Sequence, residues 1–269
     1  MNLSFENVDQ LCNGVALDDE NPVIDLSGVT FFRPFALVYL GMYLRYHTAN
    51  GKGFIVMLPE NDRARRYLAQ QNFWERFNFD SASIEAEKLR RFTTSTSPND
   101  ILDIEHRQYI AEDIAGEVYK VLVRSRVNIK VSLVSEMICE LVDNFASPSK
   151  ETLATVAMQY YPNLRRVVLA VGDCGIGIRS SLSSNPKHAY LEKLPHYTAA
   201  LESFEPLVTR MSEGGTGLTD VRDQITNMNG RLICSTGDGY VIISQGEATY
   251  GNMAYDLPGV QMEISLPEE

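Results

Sequence analysis

At 269 residues, with 44% hydrophobic and 22% charged side chains, the chain has a globular composition and is long enough for two ordinary domains. A formal net charge of −11 at pH 7 argues against a surface for nucleic acid or anionic membrane, because neutralising phosphate needs clustered Lys and Arg. Cys12, Cys139, Cys174 and Cys234 form no Cys-x-x-Cys pair, which speaks for a reducing compartment and against a disulfide framework or zinc site.

Met1 to Glu6 lacks the basic start and apolar core of a signal peptide. No apolar run approaches the roughly 20 residues that span a bilayer, so a cytoplasmic protein is expected. A first strand is expected from Leu3 to Val8 and a turn from Asp18 to Pro22. Val23 to Leu26 reads as a strand, Pro34 to Tyr46 as an apolar helix, Gly53 to Pro59 as a second, buried strand, and Asn61 to Phe77 as another helix. Strands alternating with helices across short connections predict a small parallel-containing sheet in a first domain, residues 1–92. Residues 93–103, with Thr93 to Asp100 rich in breakers, read as a linker to a second domain, residues 104–269.

That second domain opens with a helix from Ile104 to Arg124, carrying Ile110, Ile114, Val118, Val121 and Leu122 at helical spacing. Next comes a helix striped by Leu133, Val134, Met137, Ile138, Leu141, Val142 and Phe145, with Glu136, Glu140 and Asn144 one turn apart on the neighbouring strip. A carboxylate and an amide so stacked can orient a hydroxyl and hold Mg²⁺ through oxygen, although the same pattern also describes a solvated helix face. Pro148 ends this helix, and a further helix is expected from about Glu151 to Tyr160. Val167 to Val171 is a buried-strand run that stops in Asp173-Cys174-Gly175-Ile176-Gly177. Residues 178–213 are polar and punctuated by Pro186, Pro195 and Pro206, with two short helical patterns. Gly214-Gly215-Thr216-Gly217-Leu218 then feeds a helix with Val221, Ile225 and Met228 inward and Gly230 as its stop; free N–H groups at such a start favour phosphate. Gly230 to Ser235 and Tyr240 to Ser244 read as strands joined by a hairpin turn at Thr236-Gly237-Asp238-Gly239, and Val260 to Leu266 as a last strand after an extra hairpin near Gly246 to Gly251.

In this order, the Glu140 to Asn144 helix, the Asp173 loop and the Gly215-Gly217 loop resemble the N, G1 and G2 boxes of the GHKL superfamily, the ATP-binding domains of sensor histidine kinases, anti-sigma-factor serine kinases and DNA gyrase. The likeness runs over roughly residues 105 to 266. It implies an α/β sandwich with helices on one face of a mixed sheet, ATP and Mg²⁺ as cofactors, and a lid at about 178–213 in which Arg179, Lys187, Lys193 and Arg210 are candidate phosphate contacts. By the same likeness Asn144 is the Mg²⁺ ligand, Glu140 the general base and Asp173 the acceptor for the adenine amino group. Gly175, Gly177, Gly215, Thr216, Gly217 and Leu218 then form the nucleotide-facing backbone. The family often carries Gly-Thr before the last strand, whereas Gly259-Val260 stands here, which puts the threonine contribution in doubt. His106, with Arg107 after it, does not fit a phosphoacceptor histidine and reads as a surface residue.

Ile24 to Phe32 is similar to the STAS domain of anti-sigma-factor antagonists, but Arg33-Pro34-Phe35-Ala36 stands where that family has its phosphorylated serine. The resemblances imply an α+β regulatory protein with a protein partner and the option of homodimerisation. Three activities fit: an ATP-gated switch or slow ATPase, a protein serine/threonine kinase acting on a separate partner, and a nucleotide-binding scaffold. Positioning and charge neutralisation serve hydrolysis and transfer alike. There is no Gly-x-x-x-x-Gly-Lys-Ser/Thr segment, and no Gly-x-Gly-x-x-Gly follows a strand, which excludes a P-loop and disfavours a Rossmann cofactor.

Overall fold

The first strand is only two residues long, because Ser4 turns the chain at once into a helix. In the computed structural model, which describes residues 1–71, 73–76, 101–104, 111–124, 126–146, 154–209 and 217–268, β1 (Asn2–Leu3) leads into α1 (Phe5–Asn13). A strand through Val8 was expected. Instead the Asn7 side-chain oxygen accepts the Ser4 N–H at 3.0 Å, the reciprocal half of a capping box, and Val8 and Cys12 fall one turn apart on the buried side. β2 (Val23–Asp25), β3 (Phe31–Phe32), α2 (Pro34–Ala49) and β4 (Ile55–Met57) follow, with parallel pairs β1–β3 and β2–β4. α2 is apolar nearly all round and is buried on both sides, with Phe35, Tyr39 and Tyr43 fully inside. The strand expected there as buried is half-buried and shorter: Phe54 and Val56 are inside, while Ile55 and Met57 of β4 are 44% and 47% exposed. Asn61 caps α3 (Asp62–Gln70) by accepting the N–H groups of Arg63 and Ala64 at 3.1 and 3.0 Å, and α4 (Phe73–Arg76) ends this part.

The second half builds a five-stranded sheet in the order β5-β6-β7-β9-β8, from β5 (Ile101–Ile104), β6 (Ala154–Tyr161), β7 (Arg166–Gly172), β8 (Arg231–Ser244) and β9 (Glu247–Pro267). All four pairings are antiparallel, where a mixed sheet was expected. The connections explain this: β6 returns to β7 through a short 3₁₀ turn at Pro162–Leu164, and β8 returns to β9 through Gln245 and Gly246, both at positive φ, as a two-residue hairpin requires. Three expectations are overturned. The helix from Glu151 to Tyr160 is strand β6 over its described part, because it lies between β5 and β7, where ladder pairing outweighs its helical spacing. The end of the expected linker, Ile101 to Asp103, is paired strand. The expected turn at Thr236 to Gly239 is a register shift within one long strand. Residues 93–100, 105–110 with His106, and 147–153 lie outside the described residues.

Helices cover both faces of this sheet, where one face was expected. On one side lie α5 (Ala111–Arg124), α6 (Val131–Ala146), α7 (Gly177–Ser183), α8 (His196–Glu202) and α9 (Gly217–Asn227), sharing a core with Val156, Met158, Val167, Leu169, Val171, Met262 and Ile264. On the other side α2 lies against the sheet, and its core includes Ala157, Ala170, Ile233, Met253 and Leu257. The approach is close: a Cβ on Gly172 would stand 2.4 Å from Val38 Cγ1. Polar contacts fix the seat, with Ala254 N–H donating to Asp9 Oδ2 at 2.6 Å, His47 Nε2 and Tyr255 Oη 2.6 Å apart, and Phe35 N–H donating to Glu263 Oε2 at 3.0 Å. The N-terminal elements and the sheet therefore fold around a common core. Among the described residues no helix is long and apolar enough to cross a membrane.

Candidate functional site

Strand β7 delivers Asp173 to the end of a hydrophobic run. Val167, Leu169 and Val171 face the α5 and α6 layer, and strict alternation carries Asp173 to that same face. Its backbone N–H still donates to Val260 O at 2.9 Å, so the sheet holds the residue at its root. Asp173 is only 5% exposed, and Gly175 N–H donates to its Oδ1. Burial pushes its carboxyl up to about 6, while the Gly175 and Val260 backbone partners pull the other way. A buried acceptor with one oxygen tied down and, among the described residues, no cation in that balance has the chemistry to receive an N–H from an exocyclic amine.

The backbone around this carboxylate is bare by necessity. Gly259 sits at φ +91°, and a Cβ there would lie 2.1 Å from Asp173 O and 2.7 Å from Asp173 Oδ1. Gly177 sits at φ +76°, where a Cβ would stand 2.9 Å from Thr236 Oγ1. Thr236 ties the two loops: its hydroxyl donates to Gly259 O at 2.9 Å and accepts Ile178 N–H at 3.1 Å. On the opposite face, Gln261 donates to Asp173 O at 3.1 Å and to Pro258 O at 3.3 Å, and accepts the Ser235 hydroxyl at 2.9 Å. Thr236 and Gln261 were not singled out from the sequence. Thr236 belonged to an apparent turn, and Gln261 to an alternating strand whose partners lie at distant positions; only the fold brings them to Asp173.

The remaining expected residues divide three ways. Asp173, Gly175 and Gly177 lie in one loop, in which Gly175 N–H donates to the Asp173 carboxylate. Glu140 is exposed on α6, and Asn144 follows it one turn later; the Asn144 side chain lies outside the described residues. Gly215 and Thr216 lie outside them too, whereas Gly217 opens α9 and half-buried Leu218 packs on the core. The layer is continuous: α6 lies across β7, and α9 packs against α6 through the cluster containing Val221 and Ile225. The helix stop is corrected: Asn229, at φ +52°, takes the left-handed conformation, and Gly230 is needed because a Cβ would meet Leu266 Cδ2 at 2.8 Å. Within the stretch matched to a lid, residues 178–209 are folded and pack on the core through part of their side chains. Leu191, Ala199, Ala200 and Phe204 are buried, and His196 Nδ1 accepts Asp238 N–H at 3.0 Å over Gly237 and Gly239. Arg179 donates to Leu194 O at 3.2 Å, while Lys187 and Lys193 are exposed. Arg210 lies outside the described residues.

The site also touches the N-terminal half. Cys174, the residue after Asp173, donates its Sγ–H to Met42 O of α2 at 3.3 Å, and burial pushes its thiol up to about 12, so it packs rather than reacts. Comparison with protein-family models and with curated proteins gives no match.

Proposed function

We propose that this chain is a Mg-ATP-binding regulatory protein of the GHKL type, an ATP-gated switch or slow ATPase that signals through its STAS-like N-terminal module or a protein partner. The observation that carries the reading is the Asp173 carboxylate, buried at a strand end, ringed by Gly175, Gly177 and Gly259, and on the same sheet face as α6 and the start of α9. In this reading Asp173 accepts the adenine amino group and the N-terminus of α9 faces phosphate. Mg²⁺ prefers hard oxygen ligands, which the Asn144 amide and the triphosphate would supply, and its chemistry is neutralisation of phosphate charge. Glu140, exposed on α6 and so open to water, is the proposed general base. The contact of Cys174 with α2 favours a switch: a ligand that alters the Asp173 loop also alters what α2 rests on.

Two outcomes test these roles. Glu140→Ala retains Mg-ATP affinity within about twofold and loses turnover by about 10²-fold or more; wild-type hydrolysis in the variant rejects Glu140 as the base. The fate of the γ-phosphate of labelled ATP identifies the activity, since free phosphate fits the switch or ATPase and label on a second protein fits a kinase. A third test is pH. Asp173 is an anion, and so a full acceptor, above about 6. Affinity for adenosine, which has no titrating phosphate, is therefore flat at high pH and weakens as pH falls through that value, approaching about tenfold per unit. A flat profile across this range removes Asp173 from base recognition.

A further inference from the structure

Helix α2 lacks a cap of its own. Its N-cap position is Arg33, whose side chain makes no capping hydrogen bond and whose positive charge stands at the wrong end of the helix dipole. The missing acceptor comes from the far end of the sequence: Glu263, near the end of β9, accepts Phe35 N–H at 3.0 Å. Glu263 is 7% exposed, and its register partners are Ala170 on β7 and Ile233 on β8, so it stands between two apolar side chains on the face on which α2 is seated. The charged and titratable groups around it are Arg33 at the entry to α2, Arg231 on β8, Glu6 on α1 and Tyr161 on β6. Among the described residues, neither arginine forms an ion pair with it; the Arg231 guanidinium is instead 4.0 Å from Glu6.

We infer that Glu263 is a pH-sensitive latch that holds the first turn of α2 against the sheet while protonated and loosens it when ionised. A protonated carboxyl keeps an oxygen for the Phe35 N–H without placing a charge in the apolar seam. An ionised one accepts the Phe35 N–H more strongly and gains from the helix dipole and from the Arg231 and Arg33 guanidinium groups, but it must remain desolvated beside Ala170 and Ile233. Desolvation wins, pushing Glu263 up to about 7 from an ordinary 4.5. The folded-state value is raised, so the group's contribution to seating α2 is complete below about 4.5 and is lost as pH rises through about 7. The latch stands whether or not the Asp173 site takes nucleotide.

The test is amide hydrogen exchange of Phe35 to Val38 in the full chain, corrected for intrinsic chemistry. Asp173→Asn serves as the background to remove the other carboxylate raised into this range among the described residues. From about pH 5.5 to about 8.5 the opening of this turn rises roughly thirtyfold, by linkage between 4.5 and about 7. Glu263→Gln keeps the acceptor, never charges, and shows no rise. Constant protection before the substitution, or the same rise after it, overturns the latch. Should Glu263→Gln fail to fold, a carbon-13 titration of the Glu263 carboxyl decides: a midpoint near 7 supports the latch, and one near 4.5 ends it.

Discussion

With Asp173 replaced by Asn, calorimetric titration with Mg-ATP gives an affinity at least about 100-fold weaker, while above pH 7 the variant melts no lower than the wild type. The binding loss follows from donor and acceptor inventory. The Asn oxygen can keep the Gly175 N–H, which leaves its amide NH₂ as the group offered to the adenine amine, donor against donor. Losing a charge-assisted hydrogen bond and burying an unpaired donor together amount to about 3 kcal/mol or more, which is the stated factor. Stability moves the other way. The Asp173 carboxyl is raised from 3.8 to about 6, so its contribution to folding is complete below 3.8 and is lost as pH rises through about 6. At neutral pH the ionised group therefore sits in the fold at an expense on the order of 2–3 kcal/mol, which a neutral amide of the same shape avoids. A residue that weakens the fold in its ionised form and is framed by bare backbone has the profile of a ligand-reading group. Binding unchanged in Asp173→Asn would end the nucleotide reading; binding lost together with the fold would make Asp173 structural.

The parts of this arrangement that were legible in the sequence are those decided locally. Val167 to Val171 runs apolar without a break and stops at an acid and two glycines, and it is indeed a central strand ending in the Asp173 loop. The stripe through Val134, Met137, Ile138 and Leu141 lies on the buried side of α6, and Pro34 opens an apolar helix. What was not legible depended on distant partners. Glu151 to Tyr160 has a spacing that suits a helix in isolation, and only β5 and β7 on either side make its described part a strand. Thr236 to Gly239 uses the vocabulary of a turn. In the fold, Gly237 and Gly239 are where β8 makes room for His196 of α8, because a Cβ on Gly237 would fall 1.8 Å from the imidazole Nδ1. The apolar pattern of α2 showed that it is buried but not against what. Its seat on the sheet requires Gly172, Glu263 and Tyr255, from the other half of the chain.

Gly259→Ala is expected to damage both the fold and the Asp173 loop, and Gly51→Ala separates the two causes. Both glycines have positive φ, +91° and +80°, so alanine meets a similar backbone penalty of about 1–2 kcal/mol at each. At Gly51 a Cβ would find nothing within 4 Å, and that penalty is the whole effect. At Gly259 the Cβ would lie 2.1 Å from Asp173 O and 2.7 Å from its carbon. Those are backbone atoms held on both sides, by the Asp173 N–H to Val260 O bond and by Gln261 donating to Asp173 O, so no side chain can swing aside. Overpacking of that kind adds about 1–3 kcal/mol or more, for a total near 2–5 kcal/mol. For a chain of this size, that corresponds to a melting temperature roughly 10 °C lower, against a few degrees for Gly51→Ala. Relief is available only by moving the Asp173 loop, which displaces its carboxylate, so the fraction of Gly259→Ala that folds also loses Mg-ATP affinity. Gly51→Ala keeps it. If the two variants melt within a degree or two of each other and bind alike, the Asp173 loop is softer than its hydrogen bonds imply, and the close approach of Gly259 has no part in shaping the site.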